Sequence, residues 1–288
     1  IDLSGAHRYA RLPNLGFFAS AGFPFTRMAD LSETAVILPD SLQAGDIELF
    51  LALMGRIGRA TGFPAHRVRL ARAAEVNQFE DAHLLVLGTG ATQPLLSRWA
   101  DDMPMTFTST EMRINFIGPV ERLRARWENR DVSGAQRHAG NMVLNASDDL
   151  GAIMGLQSPL NGNRSVVVIA ASTPEGLGQM ADVLSDPGKS QFVRNELVLV
   201  SGDVVNHYDL GARYAMGRLP LVLGLLAAWR AWRDDDDDDE GQLSGKSVSA
   251  LTVAAVALLV MVIALALFTE VYAPATGIRL PLIGESRR

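Results

Sequence analysis

The sequence contains no cysteine in its 288 residues. Disulfides, thiolate metal sites and a cysteine nucleophile are therefore excluded, while the compartment stays open. An excess of positive charge is also lacking: 26 Lys and Arg stand against 32 Asp and Glu, a formal net charge of −6. No global basic field points to a nucleic-acid partner. Neither G-x-S-x-G nor H-E-x-x-H occurs, so a nucleophile elbow and a zincin helix are both missing. The histidines, His7, His66, His83, His138 and His207, are scattered without metal-ligand spacing. His83 opens an apolar run and reads as a satisfied structural residue. Asp101–Asp102 and Asp148–Asp149 lie at expected element ends, which suits capping or solvation better than an acid–base dyad. These absences speak against bond-making in this chain, and no cofactor or metal site is expected in it. The chain starts at Ile1 with neither an initiator Met nor a signal-peptide pattern. It is expected to be the C-terminal piece of a longer protein.

Apolar sequence, by contrast, is concentrated near the C-terminus. Val248 to Phe268, VSALTVAAVALLVMVIALALF, carries no charge over 21 residues. A helix of that length spans about 31 Å, the thickness of a bilayer's hydrocarbon core. Val248, Leu251, Ala255, Leu258, Val262, Leu265 and Phe268 mark the expected anchor, bounded by Lys246 and Glu270, with Tyr272 at interfacial depth. Upstream lies Arg218–Arg233, RLPLVLGLLAAWRAWR, too short to span. At about 100° per residue Arg218, Arg230 and Arg233 fall in one sector, and Leu, Val, Ala, Trp229 and Trp232 fill the rest. That is the pattern of a helix lying in the membrane interface; a core helix of the preceding domain is the alternative. Asp234–Glu240, DDDDDDE, is expected to be a solvated acidic linker extending to Lys246. It does not fit an EF-hand, since Ser247 falls where the bidentate Glu belongs. Basic residues flank the span evenly, Arg230, Arg233 and Lys246 against Arg279, Arg287 and Arg288, so charge leaves the orientation open.

Between Glu33 and Tyr208 short apolar runs alternate with amphipathic segments. Thr34–Pro39, Arg67–Ala71, His83–Gly88, Val166–Ser172 and Glu196–Gly202 read as strands. A helix is expected after Asp46 as N-cap, with Ile47, Phe50, Met54 and Ile57 on its buried face and Gly62 and Pro64 ending it. Gln93–Asp102 and Pro174–Asp186 read as further helices; Phe107–Gly162 is less regular. The pattern predicts an α/β domain with a mainly parallel sheet covered on both faces. Ligands of such sheets bind beyond the strand carboxyl ends, which singles out Gly88-Thr89-Gly90-Ala91-Thr92. Its backbone N–H groups offer a phosphate site; alternatively the glycines permit a turn and Thr92 caps the next helix.

Pro13 to Val36 reads PNLGFFASAGFPFTRMADLSETAV. This run resembles the BcsB family, the periplasmic subunits of bacterial cellulose synthase, with Pro13, Asn14, Leu15, Phe18, Gly22, Phe23, Pro24, Phe25, Asp30 and Glu33 as matched motif positions. The strand order, juxtamembrane helix and single C-terminal span resemble the same family, although only the first forty residues are motif-grade. The resemblance implies that residues 1–15 end a preceding jelly-roll carbohydrate-binding domain and 16–210 form a flavodoxin-like domain. Residues 218–233 would then be the interfacial helix, 234–246 the linker, 247–269 the transmembrane helix and 270–288 a short cytoplasmic tail. It further implies a non-catalytic subunit of the bacterial inner membrane with its globular part in the periplasm and its C-terminus in the cytoplasm. The implied partners are the catalytic cellulose synthase subunit, the emerging β-1,4-glucan and the lipid bilayer. UDP-glucose, Mg2+ and cyclic di-GMP are expected on that catalytic partner. The hexa-aspartate run is not a family feature. Phe17, Phe18, Phe23 and Phe25 suggest either a sugar-stacking platform or packing at a domain junction, of which the setting favours packing. A membrane-tethered flavodoxin-like enzyme or ligand-binding domain is the rival reading. A sensor ectodomain is a third, but Thr269–Arg288 is too short for a signalling domain.

Overall fold

The computed structural model describes residues 9–115, 118, 122–123, 125–126, 130–146, 149–211 and 214–217. Its centre is a seven-stranded sheet in the order β10-β9-β7-β8-β4-β2-β3. These strands are β2 (Thr34–Leu38), β3 (Arg69–Arg72), β4 (His83–Thr89), β7 (Leu150–Gln157), β8 (Ser165–Ala171), β9 (Leu197–Ser201) and β10 (Val204–Tyr208). Pairing is parallel from β3 through β2 and β4 to β8. It turns antiparallel at β8–β7, β7–β9 and β9–β10. Five strands therefore point one way, and β7 and β10 run against them. The sheet is mixed: a parallel half of the expected kind joins a second half built around β7, an antiparallel strand inserted between β8 and β9.

Every residue of β4 and β8 is buried, and alternate side chains feed two separate cores. Leu84, Val86, Val166, Val168 and Ala170 face one, with Trp99, Met105 and Phe107. Leu85, Leu87, Val167 and Ile169 face the other, with Leu49, Leu53, Leu177, Met180 and Phe25. This double burial is why the strands read as continuous apolar runs.

The second core is roofed by α1 (Leu15–Ala21), α2 (Ala44–Thr61) and a later helix, Pro174–Ser185. The first core is covered by α3 (Pro94–Arg98), by a hairpin of β5 (Met105–Phe107) and β6 (Met112–Ile114), and by α4 (Val132–Asn145). We number the helix at Pro174–Ser185 α5. Its N-cap is Thr173, which accepts from the Gly176 N–H at 3.1 Å and donates to Asp149 at 2.8 Å.

Several local expectations are corrected. The N-cap of α2 is Gln43, not Asp46; Asp46 lies within the first turn and accepts the Gln43 N–H at 2.8 Å. The buried face of α2 is Leu49, Leu53 and Ile57, while Ile47 is 49% exposed and Phe50 and Met54 are only half-buried. Gly62 does end the helix, with φ at 65° and its N–H on the Gly58 carbonyl. The helix after Gln93 is a single turn rather than the ten residues expected. The irregular middle segment contributes β6, α4 and β7. Apart from these, β1 (Tyr9–Leu12) pairs antiparallel with β11 (Tyr214–Gly217).

Among the described residues no helix is long and apolar enough to cross a membrane. The expected interfacial helix (Arg218, Trp229, Arg230, Trp232, Arg233), the acidic linker and the anchor Val248–Phe268 all lie outside the described residues.

Candidate functional site

The topological switch of the parallel half lies between β2 and β4, from which the chain proceeds to opposite sides. In open α/β sheets the crevice beyond these strand ends is where a ligand binds. Here Gln93 ties the two strands together. The side chain is 2% exposed, and its Nε2 donates to the Leu87 carbonyl of β4 at 2.8 Å and the Ile37 carbonyl of β2 at 3.3 Å. Its Oε1 accepts the Leu95 N–H, so Gln93 rather than Thr92 caps α3. Thr92 instead closes the turn, its Oγ1 accepting the Thr89 N–H at 3.1 Å and its own N–H reaching the Thr89 hydroxyl. The hairpin β5–β6 covers the loop from outside: a Cβ on Gly90 would lie 2.7 Å from the Thr108 carbonyl carbon and 2.9 Å from the Ser109 nitrogen. The glycine is there for close backbone approach to the Thr108–Ser109 peptide. The loop Gly88–Thr92 makes a tight turn as the turn reading expects, but without the Thr92 cap. Sequence spacing marked the loop but not Gln93; the only signal was a polar residue directly before the N1 proline.

The matched motif builds a structural joint. Asn14 caps α1 by accepting the Gly16 N–H at 3.0 Å, and the Leu15 N–H donates to Asn195 at 2.7 Å. Pro13 abuts β7 so closely that a Cβ on Gly155 would lie 2.7 Å from the Pro13 Cβ. Gly22 ends α1 at φ 70°, a left-handed conformation that favours glycine. The Leu12–Pro13 and Phe23–Pro24 peptides are cis. Phe18 and Phe25 are buried in the second core, edge to face with ring centroids 5.7 Å apart, and Phe23 meets Phe17 likewise at 6.3 Å. Only Phe17, 46% exposed, shows much of its face. The four rings form packing contacts rather than a platform.

Beneath Phe25 a charged cluster closes the base of the sheet. Glu33 accepts from Arg27 at 2.8 and 2.6 Å and pairs with Arg164 at 3.4 Å. Burial pushes its carboxyl up, but the Arg27 hydrogen bonds, the Arg27 charge and then Arg164 outweigh this and hold it below the ordinary 4.5. Asp30 is likewise held low, first by the Ser32 hydrogen bonds and further by Arg67. His83 is fully buried, its Nδ1 accepting the Ser165 N–H at 3.1 Å and its ring edge to face with Phe25 at 6.3 Å. Burial, then the charges of Arg164 and Arg27, lower its pKa to about 4. The ring is therefore neutral near pH 7 and acts as a structural acceptor. Among the described residues no three His, Asp or Glu side chains come together as a metal site. Asp101 and Asp102 are exposed, and Asp149 serves the α5 cap.

The fold defines the class: a mixed α/β domain with a doubly covered sheet. The family model for cellulose synthase BcsB, second FD domain, matches residues 8–169. The chain belongs to the BcsB family. It is 35% identical over 222 residues to the cyclic di-GMP-binding protein of Pseudomonas fluorescens (strain SBW25), covering 76% of this chain and 29% of that protein. It is 32% identical over 233 residues to the cyclic di-GMP-binding protein of Xanthomonas axonopodis pv. citri (strain 306), covering 81% and 29%. Against cellulose synthase 1 of Komagataeibacter xylinus it is 33% identical over 240 residues, 81% of this chain and 15% of that protein. The chain thus spans less than a third of the curated relatives' length.

Proposed function

We propose that this chain is the C-terminal part of a non-catalytic, membrane-anchored periplasmic subunit of bacterial cellulose synthase. It supports the activity of the catalytic glycosyltransferase. Together with the parts of the protein outside this chain, it helps guide the β-1,4-glucan across the periplasm. The observation that supports the reading is family membership, together with strand ends at the switch point that are tied to each other by Gln93. A domain built this way serves as scaffold and docking surface. Residues 248–268 supply the anchor, and Ser249, Ala250, Ala254, Ala255, Ala257, Ala264 and Ala266 allow close helix–helix approach to the catalytic partner. UDP-glucose and Mg2+ belong to that partner, as does cyclic di-GMP, although relatives carry that ligand in their names.

The test is detergent copurification with a processive glycosyltransferase, followed by glucan synthesis in reconstituted vesicles. Replacing Ala254, Ala255, Ala257 and Ala264 with Leu should lower synthesis while the protein stays inserted. Unchanged synthesis refutes an activating role for the helix. Trp229→Ser with Trp232→Ser should weaken assembly or activity; wild-type copurification and activity would remove the interfacial helix from the mechanism. Cyclic di-GMP should not bind the purified chain alone, and titration calorimetry reads this directly.

A further inference from the structure

A chain of net charge −6 carries a basic groove with three arginines among its described residues. It has a volume of about 540 Å³ and runs between β6 and α4, with Arg113, Arg122 and Arg137 among its described lining residues and no acidic residue among those described. Arg113 is shared with Glu111 at 2.9 Å, both well exposed. Arg122 and Arg137 have no acidic partner among the described residues. The floor is open, since nothing lies within 4 Å of a Cβ built on Gly140. The wall carries an unmet donor just beneath its surface: the Nε2 of Gln136 is buried without an acceptor.

Apolar side chains stand beside these cations. Leu144, also lining the groove, is 83% exposed, and Leu123, next to Arg122 in the chain, is 66% exposed. A single surface leucine is ordinary; protruding leucines beside arginines on an acidic protein are not. Projecting leucines flanked by guanidinium groups match a bilayer interface, where arginines bind phosphate in bidentate fashion and leucines enter the glycerol and acyl boundary.

We propose that this groove binds anionic phospholipid headgroups and seats the α/β domain on the membrane surface. The proposal rests on the reading of 248–268 as a membrane anchor, and its test separates the two. The absence of cysteine allows a single environment-sensitive fluorophore on Leu144→Cys in the full chain, reconstituted into phosphatidylcholine vesicles with or without phosphatidylglycerol. The expected result is a blue shift and quenching by nitroxide-labelled lipid only when phosphatidylglycerol is present. The same fluorophore on Leu51→Cys, on the outer face of α2, should not respond. Each arginine at an anionic surface contributes about fivefold, so Arg113→Gln, Arg122→Gln and Arg137→Gln together should lower the ratio of inserted to free probe roughly 100-fold, and high salt should act in the same direction. An equal response in neutral vesicles, or a response retained by the triple variant, overturns the proposal. A response in neutral vesicles that grows with protein density assigns the groove to a second copy and overturns it as well. A chain that washes off at alkaline pH overturns the anchor reading and this proposal with it. A chain that stays embedded while the Leu144 probe remains unresponsive overturns this proposal alone.

Discussion

Lowering the pH from 7 to 4.5 tests whether the motif region is a structural joint, because His83 lies at its centre. His83 is fully buried, its Nδ1 already accepts the Ser165 N–H, and Arg164 stands 3.5 Å from Nε2. Protonation would place a second cation beside Arg164 and turn the acceptor into a donor facing the Ser165 N–H. The folded-state pKa is accordingly about 4, against 6.5 for the ordinary imidazole. Between these values the unfolded chain binds a proton that the folded chain refuses, so folding stability falls as the pH falls. The loss is about 1.4 kcal/mol per pH unit inside the window, or about 3 kcal/mol in all. With a urea m-value of about 2–3 kcal/mol/M this moves the midpoint down by roughly 1 M. Glu33 works the other side of the scale: its carboxyl is held below 4.5 in the folded state, so its contribution is present above that value and is lost only below it. Urea titrations of the full chain in mild detergent, followed by circular dichroism at pH 7.5, 6.5, 5.5 and 4.5, isolate the histidine. His83→Asn offers an acceptor near the Nδ1 position and should flatten the slope. A wild-type midpoint that is constant between pH 7 and 5, or a variant with the wild-type slope, refutes the assignment.

Other substitutions probe the same architecture. Phe25→Ala empties a core position next to Phe18 and His83 and should cost about 3–5 kcal/mol, whereas exposed Phe17→Ala should cost under about 1 kcal/mol; equal costs would contradict the packing described. Gln93→Leu removes the donors to Leu87 and Ile37 and the cap of α3, and should cost about 1–3 kcal/mol by urea titration. A neutral outcome would show that the Gln93 bonds contribute nothing to stability. Gly45→Ala places a Cβ 2.0 Å from the Pro174 carbonyl oxygen at the α2–α5 contact, and should cost about 1–3 kcal/mol, measured as a fall in thermal midpoint.

The strands β2, β4, β8 and β9 were legible in the sequence because double burial writes each as a short apolar run between turn signals. β7 was not, although LGAIMGLQ is just as apolar. A fully buried strand has the same composition in either direction, so neither its insertion nor its antiparallel sense is encoded in a local pattern. The inner face of α2 failed for a related reason. Ile47, Leu49, Phe50, Leu53, Met54 and Ile57 cover much of the helix circumference, and periodicity alone then fits more than one face. Only the sheet selects Leu49 and Leu53 over Ile47 and Phe50. Gln93 was invisible as a tie because its meaning depends on carbonyls of β2 and on a hairpin folded across the loop, contacts that spacing cannot report. The Pro13–Val36 resemblance located the family correctly through residues that prove to be caps, core rings and ion pairs.

That structural role has a mechanical consequence at the point where the chain leaves the domain. β11 ends at Gly217, directly before Arg218 and the segment read as an interfacial helix, and it is held by β1, the strand preceding the motif. Two contacts clamp this pair onto β7: Pro13 against Gly155, and the Tyr214 hydroxyl donating to the Leu156 carbonyl at 3.1 Å. Burial pushes the Tyr214 phenol up to about 12, so the hydroxyl keeps its proton and the bond persists throughout the working pH range. On the proposed reading of 248–268 as an anchor, force between it and the sheet passes through β11. Tyr214→Phe removes the bond while keeping the ring, at a cost of about 1–2 kcal/mol. The loss should be local: amide exchange in β1 and β11 should quicken about tenfold or more, while β4 exchange stays unchanged. Equal acceleration in β4 would mean that the pair unfolds only with the whole sheet, and no acceleration in β11 would mean that Pro13 and strand pairing hold the exit without Tyr214.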